Sequence, residues 1–203
     1  MSAILPRATR AARTTTPRAD NRLPAVLDAA AALFAAKGYS ATSMRDIAEA
    51  SAMLPGSLYY HFAAKEDLLC EVYRRGVEEL RAGVEAALER THDPWERLEA
   101  ACAAHLETIL RRSDYAQVLI RVLPSDVPGA AARLRALRAQ YERLFRDLVA
   151  ALPLPASTDR RTLRMMLLGA LNWSRFWFNE AGRETPTSLA RKFVRFLKES
   201  QDE

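Results

Sequence analysis

Cysteine is scarce in this 203-residue chain: Cys70 and Cys102 stand alone, with no CxxC pair. Neither a disulfide scaffold nor a Cys/His metal site is expected. Glycine is scarce too, seven residues in all, whereas Ala, Leu and Arg abound, which points to an all-α chain. No apolar run reaches the ~18 residues that a membrane span needs, and the N-terminus lacks the apolar segment of a secretory signal. The chain is therefore expected to be cytoplasmic and to make no membrane contact. The three histidines, His61, His92 and His105, lie in unrelated contexts, and no Ser-His-Asp order, metal spacing or phosphate loop occurs. An enzyme is not expected, and no cofactor is implied.

What is present is a large apolar fraction, 49% of residues, and a net charge of +5 that is unevenly placed. Residues 1–19 carry Arg7, Arg10, Arg13 and Arg18 with no acid, leaving the rest near neutral. With three consecutive threonines and two prolines this segment is read as a disordered basic arm. It is either a leader without a role or a flexible arm able to touch DNA phosphates or enter a minor groove.

The most informative stretch is residues 43–65, SMRDIAEASAMLPGSLYYHFAAK. Ser43 and Asp46 are spaced as a capping box opening a short helix whose apolar stripe is Met44, Ile47 and Ala48, which leaves Arg45 outward. Pro55 suits the first position of a second short helix, and Gly56 and Ser57 keep its N-terminus thin, a natural seat for a phosphate. Leu58 and Phe62, four apart, anchor this helix inward. An aromatic run such as YYHF is ordinarily core, yet four adjacent helical residues cannot all point inward. Ser57, Tyr59, Tyr60 and His61 are therefore expected to look outward, a mixture of hydroxyls and rings suited to base edges, with Lys65 on a phosphate. The expected DNA contacts are Ser43, Arg45, Pro55, Gly56, Ser57, Tyr59, Tyr60, His61 and Lys65.

Around this stretch the periodicity predicts further helices. One precedes it, capped by Asp20 or Asn21 and stopped at Lys37-Gly38, with Leu33 and Phe34 inward. A long helix follows from about Ala64 to Arg90. Asp93-Pro94 opens the next, with Cys102, His105 and Ile109 inward and Arg111 and Arg112 at its end. Then come Tyr115 to Leu123, apolar nearly all round; Ala130 to Leu152, with Tyr141 and Phe145 in its stripe; a helix from Thr158 or Asp159 to Gly182; and a last one from Thr185-Pro186. The total is nine.

The 43–68 segment resembles the N-terminal domain of TetR/AcrR-type transcriptional regulators, whose pattern is roughly T-x-R-D-I-A-x-x-A-G-V-S-x-G-T-L-Y-x-H-F-x-S-K-E-x-L. Ser43, Arg45, Asp46, Ile47, Ala48, Gly56, Ser57, Leu58, Tyr59, His61, Phe62, Lys65, Glu66 and Leu68 carry the match. Ala52 replaces the usual turn glycine, and Leu54 and Ala64 replace usual capping serines; Ala52 at positive φ would cost about 1 kcal/mol or more. The resemblance implies an all-α fold: a three-helix helix-turn-helix head at 20–66 and a ligand-binding and dimerisation domain at 67–203. It further implies a homodimer through the last two helices, a palindromic double-stranded DNA operator and a small-molecule effector that releases a repressor.

The segment from Met165 to Phe178 shows apolar residues on two faces, Met166, Ala170, Trp173 and Trp177 on one, Met165, Leu168, Asn172 and Phe176 on the other. Gly169, Asn172, Trp173, Trp177 and Phe178 also resemble G-x-x-N-W-x-x-x-W-[YF] of the regulators that respond to acyl-CoA thioesters. The Arg-Pro-x-Gly that follows in that subset is absent. Such a thioester, or another aromatic or lipophilic compound, is the implied effector, bound among His105, Ile109, Leu119, Asn172, Trp173 and Phe176. His105 and Asn172 would orient it unless they are satisfied core groups. A helical adaptor or an enzyme without DNA binding is the alternative, and the adaptor leaves the outward Tyr-Tyr-His cluster unexplained.

Overall fold

The computed structural model describes residues 22–111 and 113–199, and its nine α-helices are all of the described secondary structure apart from short 3₁₀ turns and loops. The basic arm, the expected caps Asp20 and Asn21, and Arg112 lie outside the described residues. α1 spans Leu23–Lys37 and stops at Gly38, whose φ of 83° only glycine adopts cheaply and whose N–H returns to the Phe34 carbonyl. α2 spans Met44–Ala50 behind a reciprocal box: Asp46 N–H donates to Ser43 Oγ at 3.1 Å, and Ser43 N–H to Asp46 Oδ2 at 2.9 Å. In the turn after it, Ala52 takes a φ of 50°, the strain expected from its place in the pattern.

α3, Pro55–His61, is seven residues long and is held by Leu58 and Phe62, both buried with Phe34 and Ile47 in one apolar cluster. That cluster continues into α4, Lys65–Leu88, through Leu68, Leu69, Val72 and Tyr73. With 24 residues α4 is about 36 Å long and joins head to body as one rod.

In the body α5, Pro94–Leu110, lies against α4 and is flanked by α9, Pro186–Glu199. α6, Asp114–Arg121, crosses both α4 and α1, and α7, Ala131–Ala150, covers α4 from another side. α8, Arg160–Ser174, packs on α5 and α7. Caps sit where the sequence places them: Asp93 takes the N–H groups of Trp95 and Glu96, Asp159 those of Arg161 and Thr162, and Thr185 and Ser188 bond each other reciprocally.

Among the ends that differ from the sequence reading, two have a clear local cause. α6 stops at Arg121 and not at Leu123, because Leu123 precedes Pro124 and such a residue is driven out of helical backbone; Leu123 is exposed. α8 stops at Ser174, eight residues before Gly182. Ser174 Oγ donates to the Leu171 carbonyl at 2.5 Å, and Phe176 and Trp177 continue in tighter three-residue turns. A serine competing with the ladder and four bulky residues with modest helix propensity account for the stop.

Candidate functional site

Two surfaces and one cavity stand out. On the head, anchoring of α3 by Leu58 leaves Tyr59 54% and Tyr60 84% exposed, large values for aromatic rings in a stable helix. Pro55, Gly56 and Ser57 are exposed beside them, and His61 is half-buried with its ring edge-on to Tyr60 at 5.5 Å. Ser43 and Arg45 at the start of α2 are exposed as well. The surface is thus a thin, uncapped helix start followed by phenol and imidazole rings, a set that can donate, accept and stack.

Lys65 is placed otherwise. Its ammonium donates to the carbonyls of Tyr39 at 2.9 Å and Thr42 at 2.7 Å and lies 4.1 Å from the centre of the Tyr39 ring. It ties the α1–α2 loop to the start of α4, and two carbonyls occupy the charge that the sequence assigns to a phosphate.

In the body, α4, α5, α6, α7 and α8 enclose a cavity of about 300 Å³. Its wall is largely apolar, with Val77, Leu80, Leu119, Ile120, Leu123, Met165 and Leu168, and its polar groups are Tyr73, His105, Tyr141 and Asn172, with Arg138 and Glu142 alongside. His105 is 2% exposed; its Nδ1 lies 2.7 Å from Tyr141 Oη, and Phe145 stands edge-on to its ring. Burial pulls the imidazole down to about 4, and the neighbouring Asn172 side chain only partly offsets this, so the ring is neutral at physiological pH. Burial likewise holds the Tyr141 and Tyr73 phenols above their ordinary range.

Of the six residues expected to hold an effector, His105, Leu119 and Asn172 meet in this cavity. Ile109 does not; it lines a separate, more polar cleft of about 520 Å³ with Ala35, Gln117, Arg121 and Arg175. Trp173 and Phe176 are 63% and 60% exposed and meet at a tilt, ring centres 4.5 Å apart, outside the cavity. Tyr73, Tyr141, Arg138 and Met165 are among the lining groups that the sequence reading left out. Its one available signal was a phenol in each of two core stripes, since a buried Tyr hydroxyl requires a partner.

The second surface is apolar. Met165, Met166, Trp173, Phe176 and Trp177 on and after α8 are each at least half exposed, as is Phe196 on α9. Among the described residues no group of His, Cys, Asp and Glu could hold a metal, and no helix is long and apolar enough to cross a membrane.

Comparison with known proteins gives this arrangement its context. Residues 26–72 match the family profile of bacterial regulatory proteins, tetR family, and residues 91–200, over half the chain, match the tetracyclin repressor-like C-terminal domain. The chain belongs to the TetR family of transcriptional regulators. It is 40% identical over 101 residues to the HTH-type transcriptional repressor KstR2 of Mycobacterium tuberculosis, a match covering 50% of each chain. The chain thus spans about half the length of the KstR2 relatives it matches. To the HTH-type transcriptional activator FasR of Mycolicibacterium smegmatis it is 30% identical over 80% of this chain and 77% of that one. In structure it resembles AibR, solved in complex with isovaleryl coenzyme A and operator DNA, with a TM-score of 0.73 and 25% identity over 86% of this chain and 97% of that one.

Proposed function

We propose that this protein is a cytoplasmic, homodimeric repressor whose head, residues 20–66, reads a palindromic operator and whose body, residues 67–203, releases it on binding a small apolar effector. The observation that carries the DNA-reading half is the outward display of Tyr59 and Tyr60 on a helix too short to stand without Leu58 and Phe62. Ser43, Arg45, Pro55, Gly56, Ser57 and His61 complete the reading surface. Phosphate contacts fix its register, and the rings and hydroxyls of α3 read base edges in a major groove.

The exposed indoles and methionines of α8 and Phe196 of α9 are the surface that a second copy covers, because an apolar patch of this kind is costly in water. Two heads then sit at the spacing of operator half-sites. The effector enters the cavity of His105, Leu119 and Asn172; an acyl-CoA thioester or another aromatic or lipophilic compound fits its apolar wall, and AibR, the structural relative, takes isovaleryl coenzyme A.

α6 supplies the route from cavity to head. Leu119 and Ile120 face the cavity, while on the same helix Tyr115 Oη donates to Asp28 Oδ1 at 2.6 Å and Arg121 donates to the Ala35 carbonyl, both acceptors on α1. An effector that displaces α6 therefore drags α1 and the head, and operator and effector weaken each other's binding by the same factor.

The test is operator binding to the protein's own upstream DNA, comparing wild type with Tyr60→Ala and His61→Ala. Both variants are expected to elute as dimers and to lose ~1–3 kcal/mol of specific affinity. Specific binding unchanged in both rules out the reading surface. An activator reading has FasR in its favour; a promoter fusion that falls silent on deletion of the gene, in place of one that switches on, selects it.

A further inference from the structure

The effector cavity holds two buried polar atoms that the protein leaves without a hydrogen-bond partner: His105 Nε2 and Tyr73 Oη. Buried groups of this kind are normally satisfied, and each orphan costs free energy unless something else bonds it. Both belong to residues that line one cavity, and although Arg138 stands near the Tyr73 phenol, no bond of acceptable geometry joins them.

The proton on His105 can be placed. Tyr141 keeps its phenol proton, because burial opposes ionisation, and His105 Nδ1 at 2.7 Å is the partner recorded for that hydroxyl. With Tyr141 donating to Nδ1, the phenol proton is satisfied and the imidazole proton lies on Nε2, so the orphan atom is a donor. The opposite tautomer would leave the Tyr141 proton without an acceptor. Asn172 stands beside the ring, yet no bond of acceptable geometry joins it to Nε2.

We propose that the cavity recognises the carbonyl oxygen of an acyl thioester, which accepts the Nε2–H of neutral His105, with Tyr73 as a second donor and Tyr141 as the positioning residue that fixes the tautomer. This rests on the effector reading above and narrows it. A carboxylate is disfavoured, since the imidazole facing it is uncharged and the Arg138 guanidinium shares its stretch of wall with Glu142. A hydrocarbon or plain aromatic ring is disfavoured because it leaves both donors orphaned. At about 300 Å³ the cavity is at the small end of ligand pockets, which suits a short or medium acyl group with its thioester, the nucleotide lying outside.

The probe pair is hexanoyl-CoA and its thioether S-hexyl-CoA, which replaces the carbonyl by a methylene, titrated calorimetrically into the full-length protein. Wild type is expected to bind the thioester roughly tenfold or more tighter, the value of one buried hydrogen bond. In His105→Leu and Tyr141→Phe the thioester weakens and the thioether does not, so the ratio falls toward one. Tyr73→Phe lowers it partway and serves if His105→Leu does not fold. Equal affinities in the wild type, or an undiminished ratio in His105→Leu, overturn the carbonyl contact while leaving an acyl-CoA effector standing. Binding of neither probe overturns both.

Discussion

Gly76 marks the point where the long rod α4 passes closest to α6, and replacing it tests whether that crossing couples body to head. A Cβ at position 76 would lie 2.7 Å from the Tyr115 carbonyl oxygen and 3.0 Å from Leu119 Cγ. The first contact is with backbone, so α6 must move as a unit; overpacking of this kind costs ~1–3 kcal/mol. Alanine returns about 1 kcal/mol of helix propensity, leaving Gly76→Ala destabilised by roughly 1 kcal/mol. Gly83, two turns along the same helix, is the internal control: its Cβ would meet only Thr108 Oγ1 at 3.4 Å. Gly83→Ala should therefore gain about 1 kcal/mol from propensity alone. Guanidinium denaturation followed by circular dichroism, at fixed protomer concentration because association stabilises, measures both. Since α6 carries Tyr115 and Arg121 to α1, Gly76→Ala should also blunt effector-driven release of operator. A Gly76→Ala protein as stabilised as Gly83→Ala would refute the close crossing and with it the route through α6.

Three further outcomes follow from single side chains. Ala52→Gly, at a φ of 50°, should raise stability by about 0.5–1 kcal/mol in thermal melts, strain relief outweighing the added freedom of the unfolded chain. Lys65→Met should cost ~1–3 kcal/mol of stability through the lost Tyr39 and Thr42 carbonyl bonds, yet leave the slope of log Kd against log salt for operator unchanged. A shallower slope would return Lys65 to a phosphate. His105 has a folded pKa of about 4, below its unfolded value, so the unfolded chain binds more protons between pH 6.5 and 4. Stability should accordingly be complete above pH 6.5 and fall by up to about 3 kcal/mol toward pH 4, a decline that His105→Leu removes.

The head was legible because its signals are local. A capping box spans four residues, a positive φ sits where the pattern lacks its glycine, and Leu58 with Phe62 settles which side of α3 faces out. The ties of Lys65 were hidden for the complementary reason: its acceptors, the carbonyls of Tyr39 and Thr42, are 26 and 23 residues away, and no spacing announces them.

Around α8 the cavity lining turns on where the helix ends. Asn172 and Phe176 share a face on an uninterrupted helix, four residues apart, but the chain leaves the helix at Ser174, so Phe176 loses that register and turns outward to meet Trp173. Trp173 itself lies ~100° round from Asn172, and that rotation carries it from cavity to surface. The stop that turned Phe176 outward therefore also enlarged the exposed apolar face. Because the ring that leaves the cavity joins the surface proposed for a second copy, restoring helix past Ser174, as Ser174→Ala would favour, should draw Phe176 inward at the expense of that surface. Weaker dimerisation by sedimentation together with a smaller effector cavity is the expected pair of results, and a tighter dimer would contradict the shared origin.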